Sequence, residues 1–131
     1  MLIVLLLASI VEVCSGLQDA LSQSEGTFAE SGTLSGIACE IGRHPTIPAK
    51  ELSCKLLESA DAVAATADYN ALAAQTEECL GPGWGIDARE NSNYTERVFQ
   101  RGRAIVYVRR EHRKPAQQIV WLKIWRILTA Q

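Results

Sequence analysis

The sequence has few of the residues on which chemistry is usually built. Histidine occurs twice, at His44 and His112, with no ligand-like spacing between them. No Cys-x-x-Cys pair is present either, which excludes the common structural zinc patterns. Catalysis would need a nucleophile or base with a partner in reach, and no such grouping can be read from the chain. No catalytic residue, metal ligand or cofactor is therefore expected. No apolar run attains the roughly 20 residues of a membrane-spanning helix; residues 2–11 come nearest and stop at Glu12. Internal repeats and low-complexity segments are absent.

What is present begins with that short apolar run. It carries no charge and is followed by the small residues Cys14, Ser15 and Gly16, which is the order of a signal peptide and its cleavage site. No Lys or Arg precedes the run, so the usual positive start is missing. Cleavage near Ser15 or Gly16 is expected, giving a leader over 1–16 and one secreted or periplasmic domain over 17–131. No integral membrane span is expected after cleavage. Such a mature chain keeps Cys39, Cys54 and Cys79. In an oxidising compartment two of them should pair. A bridge from Cys54 to Cys79 is expected if the helix described next reverses over the strand before it; Cys39 is the competing partner for Cys54.

Apolar residues recur at helical spacing from about 60 to 80, including Ala65, Tyr69, Leu72, Ala73 and Thr76. Ser59 or Asp61 can cap the start, and Gly81 followed by Pro82 stops the helix. Residues 17–24 suit a short N-terminal helix, broken by the glycines that follow. Alternation over 34–41 and 51–57 predicts two antiparallel strands joined by a Pro-containing loop. Further strand signals lie at 84–88, 95–100, 103–110 and 117–128, with turns at 90–93 and at Arg101–Gly102. The expected fold is α+β: an antiparallel sheet of about five strands packed on one main helix.

The string Cys79-Leu80-Gly81-Pro82-Gly83-Trp84, following an Ala-rich helix and a cysteine-bearing strand, resembles a pattern in small exported bacterial proteins. That resemblance covers residues 49–85. It implies an exported α+β domain with a cysteine at the helix end, and it carries no activity with it.

Charge is unevenly distributed along the chain. Residues 17–88 hold eleven Asp and Glu against Arg43, Lys50 and Lys55, whereas 89–131 hold ten Lys and Arg against Glu90, Glu96 and Glu111. Such a split points either to an anionic partner or to a surface that complements itself. In the basic half, period-two alternation puts Arg103, Tyr107 and Arg109 on one side of a strand and Trp121, Lys123 and Trp125 on one side of the next. Aromatics interleaved with cations could hold an anionic ligand or a protein partner; equally, they could be covered by a second copy of the chain. The expected function is thus a non-catalytic binding or interaction module. The alternative is a small secreted hydrolase of ribonuclease type, using Glu96, Arg103 and His112. Asn93-Tyr94-Thr95 also forms an N-glycosylation sequon.

Overall fold

A computed structural model describes residues 17–18, 21, 33–34, 37–43, 46, 48–114 and 117–127. Strands β1 (Thr33–Leu34), β2 (Ile37–Arg43) and β3 (Ala49–Ser59) are followed by helix α1 (Ala62–Leu80). Strands β4 (Gly85–Glu90), β5 (Tyr94–Arg101), β6 (Ala104–Lys114) and β7 (Gln117–Ile127) complete the order. The sheet is antiparallel throughout, ordered β2-β3-β7-β6-β5-β4, with the two-residue β1 at the β2 edge. The fold is therefore α+β, with the helix on one sheet face. It holds six full strands where about five are expected; the outermost of the second half, β4, exposes every side chain. Of the expected N-terminal helix only Leu17, Gln18 and Leu21 are described; Leu17 is fully buried in the core.

The helix starts and stops as its sequence dictates. The Asp61 carboxylate accepts hydrogen bonds from the backbone N–H groups of Val63 and Ala64 at 2.9 and 3.3 Å, and Ser59 Oγ accepts from the Asp61 N–H at 3.0 Å. Both expected caps thus act in series on the free N–H groups of the first turn. At the other end Gly81 takes φ 75° and donates its N–H to the Glu77 carbonyl, a conformation that costs glycine little.

Ala65, Tyr69, Leu72, Ala73, Thr76 and Leu80 form the buried stripe of α1. They pack on Leu52 and Cys54 of β3, Val120, Leu122 and Ile124 of β7, Val106 and Val108 of β6, and Phe99 of β5. Register makes these strands one apolar surface, since Leu52 opposes Ile124 and Ile124 opposes Val106, which in turn opposes Phe99. In β3 a register shift between Lys55 and Leu57 ends the simple alternation that the sequence suggests. Leu57 rather than Leu56 then opposes Val120, and Glu58 moves to the outer face beside Lys55. Such a bulge re-aims side chains on one strand of a pair.

The expected Cys54–Cys79 bridge is not formed. Cys54 is bonded to Cys39, its direct cross-strand partner, with Cα atoms 4.2 Å apart. Hairpin register decides the matter, because directly opposed antiparallel residues without mutual backbone hydrogen bonds have closely spaced Cα atoms. Cys79 is also disulfide-bonded, to a cysteine outside the described residues, so none of Cys39, Cys54 and Cys79 is a free thiol.

Candidate functional site

The sheet face turned away from the helix carries most of the residues expected to bind. On β3 the odd positions Glu51, Ser53 and Lys55 point outward, opposite Trp125, Lys123 and Trp121 of β7. These in turn oppose Ile105, Tyr107 and Arg109 of β6, and Arg109 opposes Glu96 of β5. Tyr107, Arg109, Trp121, Lys123 and Trp125 are thereby assembled on one surface. Arg103 lies outside the paired strands, in the β5–β6 turn after Gly102, where its carbonyl accepts a hydrogen bond from the Ile127 N–H at 2.9 Å.

Two carboxylates organise this face: Glu51, which sequence patterning passed over, and Glu96, which it named only for the hydrolase alternative. Glu51 accepts hydrogen bonds from Tyr107 Oη at 3.1 Å, from Ser53 Oγ at 3.1 Å and from Trp125 Nε1. Tyr107 and Trp125 then meet edge to face with ring centroids 5.1 Å apart, the arrangement that ring quadrupoles favour. Burial, reinforced by the Glu51 charge and hydrogen bond, holds the Tyr107 hydroxyl far above the ordinary tyrosine range. Glu96, only 4% exposed, accepts from Arg109 Nε at 2.8 Å. Burial alone would lower the Arg109 guanidinium, but the hydrogen bond and charge of Glu96 outweigh it and raise the group. Arg109 also lies over the Tyr94 ring at 4.4 Å and 3.6 Å from Glu111, and Glu111 accepts from Trp121 Nε1 at 3.0 Å.

Lys55, Arg89, Arg109 and Lys123 are the described cations of this face; Glu40, Glu51, Glu58, Asp87, Glu96 and Glu111 are its described carboxylates. The surface is close to neutral and slightly acidic. Its ion pairs join Lys55 to Glu58, Arg89 to Asp87 and Glu96, and Arg109 to Glu96 and Glu111, so all but the Arg89–Asp87 pair lie within one half of the charge split. Lys123 stands apart. Its ammonium lies 4.8 Å from the Trp121 ring and 6.0 Å from the Tyr107 ring, and among the described residues no carboxylate pairs with it.

The residues of the hydrolase alternative are not brought together. Glu96 points to the outer face, whereas His112 opposes Gln118 on the helix side and meets Arg110 Nη1 at 3.1 Å through its Nδ1. Arg103 and His112 stand at opposite ends of β6, roughly 30 Å apart at about 3.3 Å per residue. His44 lies outside the described residues. Among the described residues no group of three or more His, Cys, Asp and Glu is placed to hold a metal ion. The carboxylates Glu51 and Glu58 were visible in the sequence only as an alternating run; that Glu51 faces Trp125 depends on the pairing of β3 with β7 across some seventy residues, and that Glu58 lies beside Lys55 depends on the bulge in β3. No protein-family model, curated protein or solved structure matches the chain.

Proposed function

We propose that the protein is an exported, non-catalytic interaction module that presents the outer face of its sheet to a protein partner, and that the partner offers a carboxylate to Lys123. Export rests on the leader pattern. It also rests on the Cys39–Cys54 disulfide, a bond that persists in oxidising compartments. Among the described residues no helix is long and apolar enough to cross a membrane. The observation that carries the reading is Lys123 itself: a half-buried ammonium at the centre of the face, bordered by Trp121 and Tyr107, while each of the other described cations of the face pairs with a carboxylate. A polyanion such as RNA would gain little from a face this close to neutral, because its affinity scales with the number of phosphates neutralised. Aromatic residues beside a few uncompensated charges suit a protein interface, where Trp, Tyr and central charge pairs dominate.

The test is affinity isolation of the exported protein with its associates, comparing Lys123→Gln, Lys123→Arg and the helix-surface control Glu78→Lys, with unfolding temperature measured in parallel. Lys123→Gln should lose the associated protein while folding normally, and the other two should keep it. Full retention by Lys123→Gln would refute the assignment. RNA cleavage abolished by His112→Ala would instead establish the hydrolase reading.

A further inference from the structure

The helix-bearing face of the sheet has a charge arrangement of the opposite kind at its margin. Arg43 opposes Lys50, Lys50 opposes Arg126, Arg126 opposes Ala104, and Ala104 opposes Arg101. One transverse row across five strands thus holds four cations, one alanine and no acid. Neighbouring strands lie about 4.8 Å apart, and like charges placed directly opposite one another are destabilising. Yet among the described residues none of the four cations is joined to a carboxylate. On the outer face nearly every described cation has a carboxylate partner; here the described residues supply none.

The central part of this row is the floor of a cleft of about 430 Å³. Arg101, Ala104 and Arg126 line it together with Leu21, Leu80, Trp84 and Gln18. Because Ala104 is small, the two guanidinium groups flank an open floor, their backbones two strand spacings or roughly 10 Å apart. Arg101 also lies 5.9 Å from the Trp84 ring. The walls contributed by Leu21, Leu80 and Trp84 are apolar, so cation and apolar surface meet in one concavity. Polar surface predominates in the cleft, which suits a charged ligand that also carries an apolar body. At about 30 Å³ per water, the space equals roughly fourteen waters, enough for a ring and a short chain.

A purely structural use of the row would be to offset the negative end of α1, whose last turn contains no basic residue. The geometry does not favour it. The Cys79 carbonyl at that end already accepts from Gln18 Nε2 at 2.7 Å, and neither the Arg101 nor the Arg126 side chain makes a hydrogen bond among the described residues.

We propose that this cleft binds an organic acid. Its carboxylate lies between Arg101 and Arg126, whose planar N–H forks match a carboxylate in two-point fashion, and its apolar body lies against Trp84, Leu80 and Leu21. The site is on the opposite face from Lys123 and is independent of the protein interface proposed above.

The test uses the mature protein and three probes: 3-phenylpropanoate, its uncharged analogue 3-phenylpropanamide, and inorganic phosphate. Binding is followed by the NMR shift of the Trp84 indole N–H, assigned with Trp84→Phe. The acid should give a saturable shift, the amide should not, and phosphate should bind at least several-fold more weakly than the acid. Arg101→Gln and Arg126→Gln should each weaken the acid roughly tenfold, the loss of one charge-assisted pair, whereas Arg97→Gln and Lys123→Gln leave it unchanged. Without ligand, Arg126→Gln should unfold at the same or a higher temperature, since it relieves repulsion. No saturation by the acid, an equal response to the amide, phosphate binding as tightly as the acid, or unchanged affinity in both arginine variants would overturn the proposal. So would a marked fall in unfolding temperature for ligand-free Arg126→Gln, which would assign the row to the helix end.

Discussion

Replacing Arg109 by Met tests whether the outer face is held by its internal ion pairs. Arg109 Nε lies 2.8 Å from Glu96, whose side chain is only 4% exposed. Arg109→Met keeps much of the stem packing on Tyr94 and Tyr107 but leaves that carboxylate without its nearest partner. Removing one member of a fully buried pair costs roughly 3–5 kcal/mol. Two features reduce this here: the Arg109 side chain is 23% exposed, and Arg89 approaches the other Glu96 oxygen at 4.0 Å. A loss of about 2–3 kcal/mol is therefore expected, against the roughly 0.2–1 kcal/mol of an exposed pair. In a domain of this size that lowers the melting temperature by about 10 °C or more. Glu96→Gln added to Arg109→Met should restore part of the loss, because no charge is then buried alone. The assay is urea unfolding of the wild type, both single variants and the double variant, followed by tryptophan fluorescence and circular dichroism. Strict additivity in this double-mutant cycle, or a loss below about 0.5 kcal/mol for Arg109→Met, would show that the pair is incidental to the fold.

Three further outcomes concern the cysteines, the leader and the tyrosines. Non-reducing peptide mapping should recover Cys39 joined to Cys54, and Cys54→Ser should cost about 3 kcal/mol for a loop of this length; recovery of Cys54 with Cys79 would contradict the hairpin register. Intact mass of the exported protein should show loss of the first 15 or 16 residues, and a full-length product would refute the leader. Tyr69 and Tyr107 are both raised, each first by burial. Their folded-state protons are held more tightly than in the unfolded chain, so the associated stability is complete below about pH 10 and declines as pH rises beyond it. Absorbance titration should show two tyrosines ionising late in the native protein and all three near the ordinary value in urea; three ordinary native titrations would refute the burial argument.

The helix was legible because all its signals are local: an acidic cap at Asp61, apolar residues at helical spacing and a glycine stop. The hairpins β4–β5 and β5–β6 were legible for the same reason, the first through an asparagine turn in which Asn91 Oδ1 accepts from the N–H groups of Asn93 and Tyr94 at 2.7 and 3.0 Å, the second through Gly102 at φ 61°. Alternation likewise placed Tyr107, Arg109, Trp121, Lys123 and Trp125 on a common face. What alternation could not supply is register. Whether Cys54 meets Cys39 or Cys79 and whether Glu51 reaches Trp125 are settled by strand neighbours. So is the alignment of Arg43, Lys50, Arg126 and Arg101 in one row. In the sequence those four cations are scattered over four strands and share no spacing. The bulge in β3 was equally hidden, since both Leu56 and Leu57 pack against the core and either fits an apolar position.

The strand order has a consequence for biogenesis. Strand β7 is synthesised after every other strand, yet it lies in the interior of the sheet, between β3 and β6. Until residues 117–127 have left the ribosome, β2–β3 and β4–β6 are separate pieces with no shared backbone ladder, and the apolar surface under α1 lacks Val120, Leu122 and Ile124 at its centre. Each piece alone is at the margin of what a small hairpin or meander can sustain in water, and closing β3 onto β7 requires a long-range contact of the slow kind. The cooperative sheet therefore closes only once β7 is delivered.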